Sequence, residues 1–147
     1  MLRIIHLSDF HLNKNNVSDW NSYVKDALFK LLKDKIDINT TFFICTGDLV
    51  DKGGKDYSSI EDAFNEFKKQ VITPICDFFS LPYEHFIITP GNHDIVRNAE
   101  PLPHELGYKE YFSQDYNNVL NFMKDVIEKN SSDGLKRIIP FKDFEDS

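Results

Sequence analysis

Apolar residues recur along this chain with two periods. Leu2 to Leu7 is a short apolar run broken only by Arg3 and His6, and its length predicts a strand. From residue 17 to 36 the period lengthens. Val17, Trp20, Val24, Leu28, Leu31 and Leu32 follow at steps of three or four, with Lys25, Lys30, Lys33 and Asp34 between them. That stripe predicts an amphipathic helix, capped by Asn16 or Ser18. Thr41 to Thr46, TFFICT, is rich in β-branched and aromatic residues and ends at Gly47, which predicts a second strand. Residues 58 to 79 return to helical spacing through Ile60, Phe64, Phe67, Val71, Ile75 and Phe78. Ser58 and Glu61 have the spacing of a capping box, and Pro74 should kink or divide the helix. His85 to Thr89 predicts a third strand, stopped by Pro90-Gly91. Beyond Val96 the pattern loosens: Pro101, Pro103 and Gly107 mark a loop, and a helix is expected within 108–129, best marked from Val119 to Ile127. The tail LKRIIPFKDFEDS gives a short apolar run, then Pro140, then charge.

Strand, helix, strand, helix, strand implies right-handed crossovers and a parallel sheet, so the carboxyl ends of all strands share one edge. The first strand runs into Ser8-Asp9-Phe10-His11, the second into Gly47-Asp48-Leu49-Val50-Asp51, the third into Gly91-Asn92-His93-Asp94. A polar turn accounts for each of these singly, since Gly, Pro, Asn and Asp favour turns. It does not account for three strand ends that all deliver oxygen or imidazole donors to one edge. Such a mixed shell suits Mn, Fe, Zn or a similar divalent ion. The donors exceed what one tetrahedral ion with an open position takes. Two ions about 3.5–4 Å apart would use them, sharing a carboxylate and a hydroxide that attacks phosphorus in line. Asp48 is the natural bridge if its strand lies between the other two.

The set SDFHL, TGDLVDKG and PGNHD resembles the calcineurin-like metallophosphoesterase superfamily, whose first three motifs are D-x-H, G-D-x-x-D and G-N-H-[DE]; all three stand here in order, within residues 1 to about 97. The resemblance implies an α/β fold, the parallel βαβαβ half of a metallophosphoesterase β-sandwich flanked by helices. It implies that Asp9 and His11 bind a first metal, that Asp48 bridges, and that Asn92 binds a second. His93 would act near the leaving oxygen as acid or transition-state donor, with Asp94 orienting its ring. Asp51 would support a ligand or its loop. Lys52 would contact phosphate, although a solvated lysine is the commoner case. The implied activity is a dimetal phosphoesterase acting on a phosphodiester or phosphomonoester. Diesters, cyclic nucleotides or nucleic acid, are favoured because TGDLVDKGG and PGNHDIVR look like bacterial and phage members. The family's phosphoprotein phosphatases carry Asp-Arg-Gly where this chain has Asp51-Lys52-Gly53.

The family's later motifs, a lone His after a fourth strand and then Gly-His-x-His, are absent; after His93 the sequence holds only His104. Residues 1–147 therefore read as a single metallophosphoesterase domain, incomplete at its C-terminus, with 98–147 as a cap or helical extension. The sandwich would lose its second half and leave a hydrophobic sheet face bare. A fragment of a longer protein is preferred, with completion by a second chain as the other route. A catalytically incomplete partner-binding module, or half of a split enzyme, is the rival reading. The aromatic group Tyr108, Tyr111, Phe112 and Tyr116 is a substrate wall or, more commonly, a core stripe. His6 and His85 lie within strands and read as core or edge residues.

Composition narrows this further. With 147 residues, 41% of them hydrophobic, the chain is long enough for one globular core. A net charge of −7 disfavours a nonspecific nucleic-acid or membrane-surface binder, but not an acidic site that takes cations first and phosphate second. Cys45 and Cys76 form no C-x-x-C pair and read as buried thiols in a reducing compartment. MLRIIHLSDFHL is too short and interrupted for a signal peptide, and no stretch approaches the ~20 apolar residues of a membrane span. A cytoplasmic location and no membrane partner are expected.

Overall fold

Three short strands, each ended by a glycine or a polar turn, pair in parallel in the order β1-β2-β3: β1 is Arg3–Leu7, β2 Thr41–Thr46 and β3 Phe86–Thr89. The computed structural model describes residues 1–97, 103–129 and 136–147. In register, Ile4 faces Phe42, His6 faces Ile44, Ile44 faces Ile87 and Thr46 faces Thr89. β2 is thus central, and the three polar strand ends emerge along one edge, as the crossover rule requires.

Helical segments connect the strands. The first connection runs through α1 (Val17–Asp19), a π turn (Trp20–Val24) and α2 (Lys25–Leu32). The second runs through α3 (Ile60–Phe67), another π turn (Lys68–Ile72) and α4 (Thr73–Phe79). The cap of α3 is Ser59, whose hydroxyl accepts from the Asp62 amide, one residue later than the Ser58/Glu61 spacing indicated. Neither Asn16 nor Ser18 caps α1: the Asn16 side chain turns back to the loop, and Ser18 donates to the Asn15 carbonyl.

Pro74 divides the second helix only by inserting the π turn. It has no N–H for the Gln70 carbonyl one turn back. That carbonyl accepts instead from the Trp20 indole of the first connection, at 2.8 Å. A backbone defect in one helix is thereby satisfied by a side chain of another, which ties the two crossovers together.

The core lies under one face of the sheet. Phe43 and Cys45 of β2 are fully buried with Ala63, Phe67, Val71 and Ile75 of the second connection. The other face stays open: Ile4 and Ile87 are about half exposed, beside His6, whose ring bonds the Thr46 hydroxyl. His85 belongs to a 3-10 turn (Tyr83–His85) rather than to β3, and its ring stacks on Phe42 and bonds the Thr41 carbonyl.

Two compact units are distinguished, Met1–Val96 with Pro140–Ser147, and Arg97–Ile139. The second holds α5 (Pro103–Gln114) and α6 (Tyr116–Lys129), so Pro103 opens a helix and Gly107 lies inside it where a loop was expected; Pro101 lies outside the described residues. Tyr108 and Phe112 pack on Phe122 across this hairpin, with centroids 4.7 and 5.2 Å away, whereas Tyr116 is exposed. α7 (Ile139–Glu145) brings Phe141 and Phe144 back onto Phe64, burying all three in the first unit.

Candidate metal centre

The loops after β1 and β2 keep pairing beyond the strands. The amides of Asp9, His11 and Leu12 donate to the carbonyls of Gly47, Asp48 and Leu49, and the Asp51 amide donates back to the Leu12 carbonyl. This continued ladder holds the two donor-bearing loops side by side. Asp9, His11 and Asp48 all adopt left-handed backbone, with φ of 56°, 44° and 53°. Such conformations are uncommon for residues with a Cβ and persist only where surrounding structure imposes them. At His11 the imposing groups are Asn13 and Asn16, whose side-chain amides both donate to the His11 carbonyl. The same two side chains accept from each other's backbone amides. Sequence reading missed this clasp; its signal was the N-x-x-N spacing two residues past His11.

The third loop is locked to the second by two glycines. A Cβ on Gly47 would come within 2.9 Å of the Gly91 Cα, and one on Gly91 would meet the Asp48 carboxylate at 2.2 Å. Only hydrogen fits in both places, and the approach lets the His93 amide donate to Asp48 Oδ1 at 3.0 Å. The Gly53 amide donates to the His93 carbonyl, closing the loop from the other side.

These constraints bring side chains from all three loops together. His11, Asp48 and His93 each offer one ligand atom, and the three atoms lie within 4.8 Å of one another. Ligands about 2.1 Å from a shared ion stand at most about 4.2 Å apart, so a small side-chain rotation closes the set. His11 Nε2 lies 3.7 Å from Asp48 Oδ2 and 4.0 Å from Asp9 Oδ1, which places Asp9 at the rim of the group. Asn92 sits exposed in the turn between Gly91 and His93. Lys52 is mostly exposed, with its ammonium 3.9 Å from Asp51.

Asp94 stands in a place other than the one the motif implied. Asp94 is fully buried and its carboxylate is occupied by backbone: Oδ1 accepts from the Val50 amide and Oδ2 from the Gly91 amide, both at 2.9 Å. Burial raises its pKa above the ordinary carboxylate value, with Asp48 adding to the rise and the amide hydrogen bonds opposing it. Asp94 therefore staples the β2 and β3 loops and does not orient the His93 ring. Asp51 faces that ring, with Oδ1 3.2 Å from His93 Nδ1 and 4.0 Å from His11 Nδ1. The Lys52 amide also points at His93 Nδ1, at 3.0 Å. The two contacts belong to different protonation states. A lone pair on Nδ1 accepts from Lys52 and leaves the proton on Nε2, whereas a proton on Nδ1 is donated to Asp51.

The family model for calcineurin-like phosphoesterase matches residues 2–143. The chain belongs to the calcineurin-like phosphoesterase family. An uncharacterized protein, R555, of Acanthamoeba polyphaga mimivirus is 31% identical over 93 residues, covering 62% of this chain and 6% of the viral protein. The chain thus spans a small fraction of the length of that relative. No solved structure gives a significant match. Family membership accounts for a fold that gathers oxygen and imidazole donors at one sheet edge. Among the described residues no helix is long and apolar enough to cross a membrane.

Proposed function

We propose that Asp9, His11, Asp48 and Asn92 hold two divalent ions, manganese or a similar metal, and that the chain hydrolyses a phosphodiester in preference to a monoester. The observation that supports this is that loops after three separate strands bring His11, Asp48 and His93 together, with one ligand atom of each within 4.8 Å of the others, so that Asp48 and His11 stand as ligands and His93 beside them. Bound ions would supply an activated water and charge stabilisation on the phosphoryl oxygens. The residues of the chain do the rest. Asp48, in the loop after the central strand, lies beside His11 and accepts from the His93 amide, and would be the ligand shared by both ions. Asp9 and His11 would be ligands of one ion and Asn92 of the other. His93 would donate a proton from Nε2 to the leaving oxygen when its Nδ1 proton is held by Asp51, or a hydrogen bond from Nε2 when Nδ1 accepts from the Lys52 amide. Asp51 takes the orienting role first assigned to Asp94.

Residues 1–147 form one metallophosphoesterase domain in this reading, with its helical extension following β3. The two buried, unpaired cysteines fit a reducing, cytoplasmic setting. The decisive experiment is Mn²⁺-dependent hydrolysis of bis-p-nitrophenyl phosphate by this chain beside Asp48→Asn. Activity is expected in the parent and only background in the variant. Equal activity in both would remove Asp48 from the site. Inactivity in both would favour a second reading, a partner-binding module or split-enzyme half, for which the open face bearing Ile4 and Ile87 speaks.

A further inference from the structure

Two asparagines follow His11 closely, and their side chains act on its carbonyl. Asn13 Nδ2 donates to that oxygen at 3.2 Å and Asn16 Nδ2 donates to it at 3.0 Å. Asn16 Oδ1 accepts from the Asn13 amide and Asn13 Oδ1 from the Asn16 amide, at 2.9 and 3.0 Å. The Asn13 carbonyl accepts from Val17, and the Asn16 carbonyl from Asp19 and Trp20, so the pair is rooted in the start of the first helical connection. On the other side of the residue, the His11 amide donates to the Asp48 carbonyl at 2.8 Å. Both peptide groups of His11 are thus pinned. Between them the backbone is left-handed, with φ 44°, a conformation that a residue with a Cβ keeps only when neighbours impose it.

We infer that Asn13 and Asn16 are positioning residues for ion binding: they fix the direction of the His11 imidazole, and through it the affinity of the site for a divalent cation. The inference rests on the metal reading above. With this backbone His11 Nε2 stands 3.7 Å from Asp48 Oδ2 and 4.0 Å from Asp9 Oδ1, and the ring meets that of His93 edge-on at 4.6 Å. The chain before His11 is held by its ladder to the loop after β2. A rotation of φ at His11 therefore moves its Cβ, its ring and its carbonyl together. The carbonyl is the atom that the two asparagines hold, so they resist the rotation that would carry the ring away from Asp48. Partners that orient a metal ligand in this way commonly alter affinity by about 10–100-fold. Asparagine suits the task because its side chain donates and accepts at once, where aspartate would only accept. Asn15, between the two, gives its backbone amide to Asn13 Oδ1 and exposes its side chain.

That chemistry supplies the test. Asn13→Asp combined with Asn16→Asp keeps both Oδ1 acceptors and removes both donors to the His11 carbonyl. Asn15→Asp adds a carboxylate to the same loop and keeps the donors, which controls for charge. The intact 147-residue chain is titrated with Co²⁺ and followed by visible absorption, beside urea unfolding of the metal-free protein. The double variant is expected to bind Co²⁺ about 10–100-fold more weakly than the parent, and Asn15→Asp no more weakly. In a His11→Ala background the same two changes should weaken Co²⁺ no further, because the asparagines act through that ring. Where the double variant does not fold, Asn16→Asp alone, which leaves the Asn13 donor, is read by the same cycle. Parent affinity in the Asn variant, or equal weakening with and without His11, would overturn the positioning role and leave the metal reading standing. A parent that binds no Co²⁺ would overturn both.

Discussion

Asp51 and Asp94 differ by environment more than by chemistry, and the difference sorts structural from functional carboxylates. Asp94 is buried with both oxygens on backbone amides, so Asp94→Asn turns one of those acceptors into a donor facing the Gly91 amide or its counterpart. A loss of roughly 1–3 kcal/mol is expected for an orphaned buried partner. Asp51 is partly exposed, and its carboxylate lies 3.2–4.0 Å from two imidazoles and a lysine ammonium, all of them polar side chains outside the core. Asp51→Asn should leave the unfolding midpoint near that of the parent and weaken metal affinity or hydrolysis by about 10–100-fold, the usual effect of a lost supporting group. Urea titrations beside activity assays separate the two. Comparable destabilisation by both would show that Asp51 also braces the loops. The left-handed backbone at Asp9, His11 and Asp48 belongs to the same scale, because local strain of about 1–3 kcal/mol per residue is tolerated only where neighbouring bonds hold it in place.

At the scale of elements, the two helical connections depend on one another through a single hydrogen bond. Trp20 supplies the N–H that Pro74 cannot, to the carbonyl of Gln70. Trp20→Phe keeps an aromatic side chain at that position and removes the donor, which should cost roughly 1–3 kcal/mol. Pro74→Ala returns an amide to the ladder, so it should recover part of that loss in the Trp20→Phe background and much less in the parent. A double-mutant cycle read by chemical denaturation gives the coupling. Strictly additive effects would mean that the indole bond contributes nothing beyond packing. The helical spacing that announced both connections was legible because each buries one face. The indole bond was not, since it joins residues fifty positions apart.

For the molecule as a whole, the buried thiols give a pH signature. Burial raises Cys45 to about 12, and burial with Asp77 and Glu84 nearby raises Cys76 to about 11. Their unfolded value is about 8.5, so between that pH and 11 the native state keeps protons that the unfolded chain releases. The stability these thiols confer is whole below that range and is lost as pH rises through it. A variant with Cys45→Val and Cys76→Ala should therefore show a shallower fall in urea midpoint from pH 8 to 11 than the parent. Native protein at pH 8 should react with a thiol reagent only slowly, and denatured protein at both cysteines. Fast native reaction would place a thiol at the surface and contradict the packing.

Periodicity and strand-end chemistry determined the three strands, both crossovers, the parallel sheet and the three donor loops, because the local spacing of apolar residues and glycines already dictates which backbone forms and where it stops. Tertiary structure alone decided which carboxylate meets which imidazole. The motif pointed to Asp94 as the partner of the His93 ring, and burial beneath the Val50 and Gly91 amides assigned Asp94 to the scaffold instead. Tertiary structure also decided that Phe141 and Phe144 return to the first unit, because such contacts depend on distances between segments that no local pattern encodes.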